Sequence, residues 1–343
     1  MKSEFKSAVM RPVLTLSVLL ASWIVSVNSF SHSVHETDSE STPSLHHAME
    51  DTLTLLAHYR ATGDDDYLDQ AWLQVSDAKE GVSLSSSAMM AIALIAQARH
   101  EFDFSLRMAQ QATKDRSTRD QAWLLLATIN LVKGNLDAAQ HACRQLGRAA
   151  WPLVVGCHAR TAHAKNESMQ VKARIETVIN NFDRFDLDAS HQAWLLSIAG
   201  DIQVAAGDTR AAIDSYQRSL RLQENVQVRV AFVDTLIADA KLAEAELALD
   251  EGSNALPLLL RRLMVDAADG HVIATAQRSA MDETFRRWIE AGDFLHAREM
   301  AMFYLHLVPD PELAHQLAVA NLRVQREPED IVLHKATREA LGL

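Results

Sequence analysis

The stretch Gln192–Asn225, QAWLLSIAGDIQVAAGDTRAAIDSYQRSLRLQEN, holds two apolar runs at helical spacing on either side of Gly207-Asp208. Apolar residues recur three and four positions apart in both runs, so each is expected to form a helix. Glycine adopts the left-handed conformation that ends a helix without a Cβ penalty. The aspartate after it is suited to accept a backbone N–H opening the next helix. The stretch therefore predicts a tight helical hairpin. Small residues are needed where its helices cross closely, at Gly200 and Ala212, with Tyr216 and Leu220 filling the space against the following unit.

The same junction chemistry recurs at Gly63-Asp64, Gly134-Asn135 and Gly292-Asp293. A second copy of the longer pattern is AWLLLATINLVKGNLDAAQHACRQL, Ala122–Leu146, and a third, AGDFLHAREMAMFYLHLVP, ends at Pro309. Aligning on the small residue of the second helix selects Ser105, Ala139, Val171, Ala212, Ala245 and Ala297, with steps of 34, 32, 41, 33 and 52 residues. The 41-residue step fits a longer loop through Asn180–Asp183; the 52-residue step fits an extra helix around Pro257–Ala267 and a long one up to Ala291. An atypical first pair around Gly63 and a last pair over Pro311–Leu343 bring the expectation to about eight hairpins, or about fifteen to seventeen helices.

In these residues the chain resembles the tetratricopeptide repeat family, in particular its exported bacterial members. Trp123, Leu126-Ala127, Gly134 and Ala139 in one copy, and Ala199-Gly200, Gly207, Ala212-Ile213, Tyr216 and Leu220 in another, stand at the spacing typical of that family. The resemblance covers nearly all of residues 45–343. It implies an all-α, right-handed α-solenoid that binds a peptide or protein in a concave groove, usually within a larger assembly. By analogy, exported members of similar organisation support envelope assembly or polysaccharide export. The family's register places positions 2, 5, 9, 12 and 13 of each first helix on the concave side. It thereby selects Met90, Gln97, Gln121, Leu124, Thr128, Arg160, His163, Trp194 and Asp201. That set mixes apolar and polar side chains, which suits an extended peptide or helix better than one strongly charged ligand.

Composition agrees with a helical chain. Of 343 residues 48% are apolar, with only 11 Gly and 7 Pro, and the prolines interrupt no long periodic run. The formal charge is −12, from 45 acidic against 33 basic residues, and no basic run follows Arg11. Nucleic acid is a poor partner for such a surface, because phosphate binding draws its affinity from Lys and Arg displacing counterions.

At the N-terminus Lys2, Lys6 and Arg11 precede the apolar run Pro12–Val27, the organisation of a signal peptide over residues 1–31. Cleavage is expected near Ser29 or Ser31. The alternative is an uncleaved anchor, since no Ala-x-Ala signal is present. Either way the bulk of the chain is expected in the periplasm or secreted, or else membrane-anchored and facing the periplasm. Residues 32–44 are polar, acidic and rich in Ser and Thr, and form a linker in this reading.

An exported chain with two cysteines, Cys143 and Cys157, invites a disulfide. The register puts the first in the second helix of one unit and the second in the first helix of the next, and two buried thiols are the alternative. Fifteen histidines raise the question of metal, and His32 and His35 beside Glu36 and Asp38 are the nearest cluster. Their spacing lacks the fixed geometry of a helical His-x-x-x-His pair, which favours a solvated polar tail. His158 and His163, five apart on one helix, are expected on diverging faces at the surface or groove. No nucleophile elbow, phosphate loop, His-Glu-x-x-His helix or dinucleotide turn occurs in the sequence. The sequence thus points to a non-enzymatic binding scaffold without a cofactor. The alternative is an accessory protein that handles a metal or small ligand through His32 and His35 and serves a transporter.

Overall fold

In a computed structural model, which describes residues 43–76, 84–147, 151–249, 253–269 and 275–343, the described residues are all-helical and contain no strand. They form seventeen α-helices: α1 (Pro43–Thr62), α2 (Asp65–Ser76), α3 (Ser86–Ala98), α4 (Phe102–Ala112), α5 (Arg119–Val132), α6 (Leu136–Arg144), α7 (Trp151–Ala164), α8 (Ser168–Ile179), α9 (Ala189–Ala205), α10 (Thr209–Leu222), α11 (Val226–Ala238), α12 (Leu242–Ala248), α13 (Leu256–Asp269), α14 (Thr275–Ala291), α15 (Ala297–His306), α16 (Pro311–Val324) and α17 (Pro328–Ala340). A 3₁₀ turn over Phe182–Arg184 occupies the long loop expected before α9. The expected extra helix and long helix are α13 and α14. The described residues divide into two compact units, one up to residue 228 and the other from residue 229.

The turns explain the register. At Gly134, Gly207 and Gly292 the backbone is left-handed, with φ of 75°, 76° and 72°. His100, Asn166 and Ala240 adopt the same conformation, at 61°, 59° and 56°, where glycine is absent. After each of these six residues the next N–H bonds back to the carbonyl five positions earlier, at 2.7–2.9 Å: Glu101 to Ala96, Asn135 to Asn130, Glu167 to Ala162, Asp208 to Gln203, Lys241 to Leu236 and Asp293 to Trp288. This is the Schellman closure, which satisfies carbonyls left open at a helix end. Five residues beyond each left-handed residue stands the small residue of the sequence register. Ser105, Ala139, Ala212, Ala245 and Ala297 are completely buried there, whereas Val171 is only partly covered. The cap chemistry is less uniform. Asp208 accepts from Ala211 N–H at 3.3 Å, but Asn135 makes no side-chain cap bond.

In the first unit, contacts run between consecutive helices and between the odd-numbered helices α1, α3, α5, α7 and α9, each touching the next odd one. Odd helices are consequently enclosed. Residues 90–97 of α3 and 193–203 of α9 are buried without a break, as expected for helices that are apolar around their whole circumference. Even helices bury one stripe: α4 buries Phe102, Ser105, Ala109 and Ala112. Helices α9 and α10 cross at Gly200, where a Cβ would collide with the Tyr216 ring. Tyr216 therefore packs within its own hairpin, a correction to the expectation that it serves the following unit.

In the second unit α15 takes the enclosed place. Ala297 and Met300–Tyr304 are buried, and Phe303 meets Phe285 of α14 edge-on at 5.2 Å between ring centres. Ala297, aligned in the sequence with second helices, thus belongs to a helix that is packed like a first one. The hydrophobic repeat is the same for both, so the spacing alone does not separate them.

Cys143 of α6 and Cys157 of α7 lie at disulfide distance, with Sγ atoms 1.98 Å apart. The pair ties consecutive hairpins together, as the register expects. Closing a loop of 14 residues contributes about 3 kcal/mol in the chain-entropy estimate. Denaturant titration should show that loss in the C143A/C157A double variant, and no further loss on adding reductant to it.

A left-handed alanine costs about 1–2 kcal/mol relative to an unstrained residue, partly offset by the lower entropy of alanine in the unfolded chain. Ala240→Gly should accordingly stabilise the protein by about 0.5–1 kcal/mol. Gly207→Ala, whose new methyl meets no neighbour within 4 Å, should destabilise it by a similar amount. Melting curves of the two variants should move in opposite directions.

Candidate functional site

Helix α7 carries Cys157 of the cysteine pair midway along its length and packs against α6, α8 and α9. At Gly156 the missing side chain makes room for Trp194 of α9, whose ring would collide with any Cβ there. One turn on, Thr161 Oγ1 donates to the Cys157 carbonyl at 2.8 Å and lies 3.6 Å from Cys143 Sγ. His163 Nδ1 pairs with Ser168 Oγ at the start of α8, at 2.9 Å, and so fixes the α7–α8 turn. Its Nε2 is buried with no hydrogen-bond partner. Burial, reinforced by the Arg160 guanidinium, pushes the His163 imidazole down to about 4.

Of the nine groove residues expected from the register, Met90, Gln97, Leu124, Thr128, Arg160, His163, Trp194 and Asp201 are each at most 6% exposed. Gln121 is half-buried. The register placed them on the inner row of helices, and the structure packs that row closed. Asp201 is an interior acceptor, taking a 2.7 Å hydrogen bond from the Tyr216 hydroxyl. His163, expected at the surface or groove, is an interior residue, while His158 is half-buried.

Next to this row a polar chain links two hairpins. Lys172 of α8 bridges Glu176 at 2.7 Å and Asp208 at 3.1 Å. Gln203 donates to Glu176 at 3.2 Å and accepts from Ser215 at 2.8 Å. In the second unit Arg261 forms a two-pronged bond to Asp234, at 3.0 and 2.9 Å. Arg298 of α15 reaches Glu327 at 3.0 Å and Asp330 at 2.7 Å. The sequence reading missed these buried pairs, since their partners lie 27 to 32 positions apart. The repeat length itself was the available signal, because charges about one repeat apart face each other.

His32 and His35 lie outside the described residues. Among the described residues no three or more His, Cys, Asp or Glu side chains converge as metal ligands. None of the described helices is long and apolar enough to cross a membrane. The arrangement of α7 and α9 locks helices together through paired polar groups, with Arg160 and His163 inside.

No protein-family model matches the chain, and no curated protein is significantly similar to it. The tetratricopeptide resemblance therefore stands on the residues quoted above.

The unfolded chain takes up a proton at His163 near pH 6.5, which the folded protein refuses until about pH 4. Stability from this group is complete above pH 6.5 and falls as pH drops, by about 2 kcal/mol between pH 6.5 and 5. Denaturant titrations at pH 5, 6 and 7.5 should show this decline, and His163→Phe should flatten it.

Proposed function

We propose that the chain is a non-enzymatic scaffold of the tetratricopeptide kind that holds a peptide or protein in the cell envelope. In this reading each unit is a segment of right-handed α-solenoid. The observation that carries it is the six-fold recurrence of one turn, with a buried small residue five positions on at five of the six. Such stacking builds long surfaces from a packing code that leaves outward residues free to vary.

The surface on offer differs from the groove first expected. With the odd helices enclosed, large apolar side chains stand out on even helices: Leu73 on α2 is 67% exposed, Met169 on α8 70% and Leu247 on α12 87%. Large apolar side chains this exposed suit a protein partner that desolvates them. An exported chain also accounts for the charged leader followed by an apolar run and for the cysteine pair.

Site-specific photo-crosslinking in the native envelope tests this. A crosslinker at Leu73, Met169 or Leu247 should give a discrete protein adduct, whereas one at Arg116, in the exposed loop before α5, should not. Absence of adducts at all three positions, or recovery of the chain in the cytoplasm, overturns the proposal.

A further inference from the structure

Helix α17 is built inside out. The side chains it turns inward are Glu329, Asp330, Leu333 and Thr337, all buried, whereas Ile331 is 56% and Val332 36% exposed. An ordinary surface helix buries its apolar stripe and wets its charges. Here the two charges of the first turn face the protein, while Lys335 and Glu339 further along are exposed.

The polar groups around the start of α17 come from every element that packs on it. From α15, Arg298 clamps Glu327 Oε2 and Asp330 Oδ1, at 3.0 and 2.7 Å. From α16, Asn321 donates to Asp330 Oδ1 at 2.6 Å, and nearer the other end of α17 His315 meets Thr337 at 3.1 Å and stacks on His334. From the connection between α16 and α17, Glu327 N–H donates to Asp330 Oδ2 at 2.8 Å. Three carboxyls thus share one guanidinium. Glu327 and Asp330 already take up its charge.

Glu329 is left over. Both its carboxyl oxygens are buried and neither has a hydrogen-bond partner. A carboxylate in that position would be a buried charge offset only by its own backbone N–H and by Arg298, which already serves two other carboxyls, and that is unfavourable, whereas the neutral acid is tolerable. Burial first, and the neighbouring Glu327 second, push the Glu329 carboxyl well above the usual range.

We infer that α17 is a proton-held strap: it stays docked on α15 and α16 while Glu329 carries a proton, and it lets go when that proton is lost. The sign follows from linkage. A carboxyl whose docked form holds its proton more tightly than the undocked form lends its full support below the undocked transition, and that support drains away as pH rises from there to the docked transition. Undocking frees Glu329 and Asp330 to water and uncovers the surface around Leu333. The outward Ile331 and Val332 add less to the cost of the move than core residues would, since they are 56% and 36% exposed already. Acid acts on the strap by a separate route, through His334, whose imidazole is held below its usual range by burial first and by neighbouring positive groups second, so the alkaline side is the one that reports on Glu329.

The test uses the full chain between pH 6.5 and 10, with two readouts. Isotope-edited infrared spectroscopy should show one protonated glutamic acid at pH 7 that is absent from Glu329→Gln and that ionises within this range. Hydrogen exchange, corrected to protection factors, should show α17 losing about tenfold in protection per pH unit from pH 6.5 up to that transition and levelling off above it. The amides of α5 and α9 should hold steady, and α17 of Glu329→Gln should stay flat. An ionised Glu329 at pH 7, a carboxyl still protonated at pH 10, ionisation without a change in α17 exchange, or equal loss in wild type and variant would each overturn the inference. Should Glu329→Gln fail to fold, the two wild-type readouts decide alone.

Discussion

The bond from the residue after each left-handed turn residue to the carbonyl five positions earlier fixes the direction in which one helix leaves the last. Once that direction is set, the residue five positions further on turns inward, and at five of the six turns it is a completely buried Ser or Ala. The enclosure of the odd helices follows, because hairpins closed alike can stack with the same row inside. A change at the turn would therefore be felt at the crossing, and a larger residue at the crossing would strain the turn.

Enclosure raises a second problem, since helices buried on every side still carry polar residues. The structure resolves it by pairing. Tyr216 serves Asp201, Arg261 serves Asp234, and Arg298 serves Glu327 and Asp330. Each pair joins two helices, so these contacts bind in particular registers where apolar packing would tolerate sliding. Breaking one partner of such a buried pair costs about 3–5 kcal/mol, far more than the loss of an exposed ion pair. Glu329 is the exception in this company, and that is what makes its helix sensitive.

Much of the fold was legible because helix periodicity and Gly-Asp junctions are local signals. The hairpin at Gly207, the close crossing at Gly200, the extra helices before Ala291 and the cysteine pairing could all be read from short spacings. His100, Asn166 and Ala240 could not be read directly, since nothing local marks a non-glycine residue as left-handed. Their positions were nevertheless implied by Ser105, Val171 and Ala245, each five residues later. The candidate groove was less legible. Family register told which way Arg160, His163 and Trp194 point, but whether that direction opens to solvent depends on how closely successive hairpins pack, and that distance is written in no single repeat.

The cysteine pair carries a consequence for the order in which the chain matures. Its two members are 14 residues apart, so the contact is local, and it can form as soon as α7 exists, before any residue beyond α7 has been made or has folded. A chain emerging from its N-terminus would then carry a covalently closed corner just behind its first five described helices. Each later hairpin needs only its predecessor as a template. Assembly by addition to a fixed end avoids long searches between distant segments, and the contacts of the finished first unit, between neighbouring helices, are of the kind such growth produces.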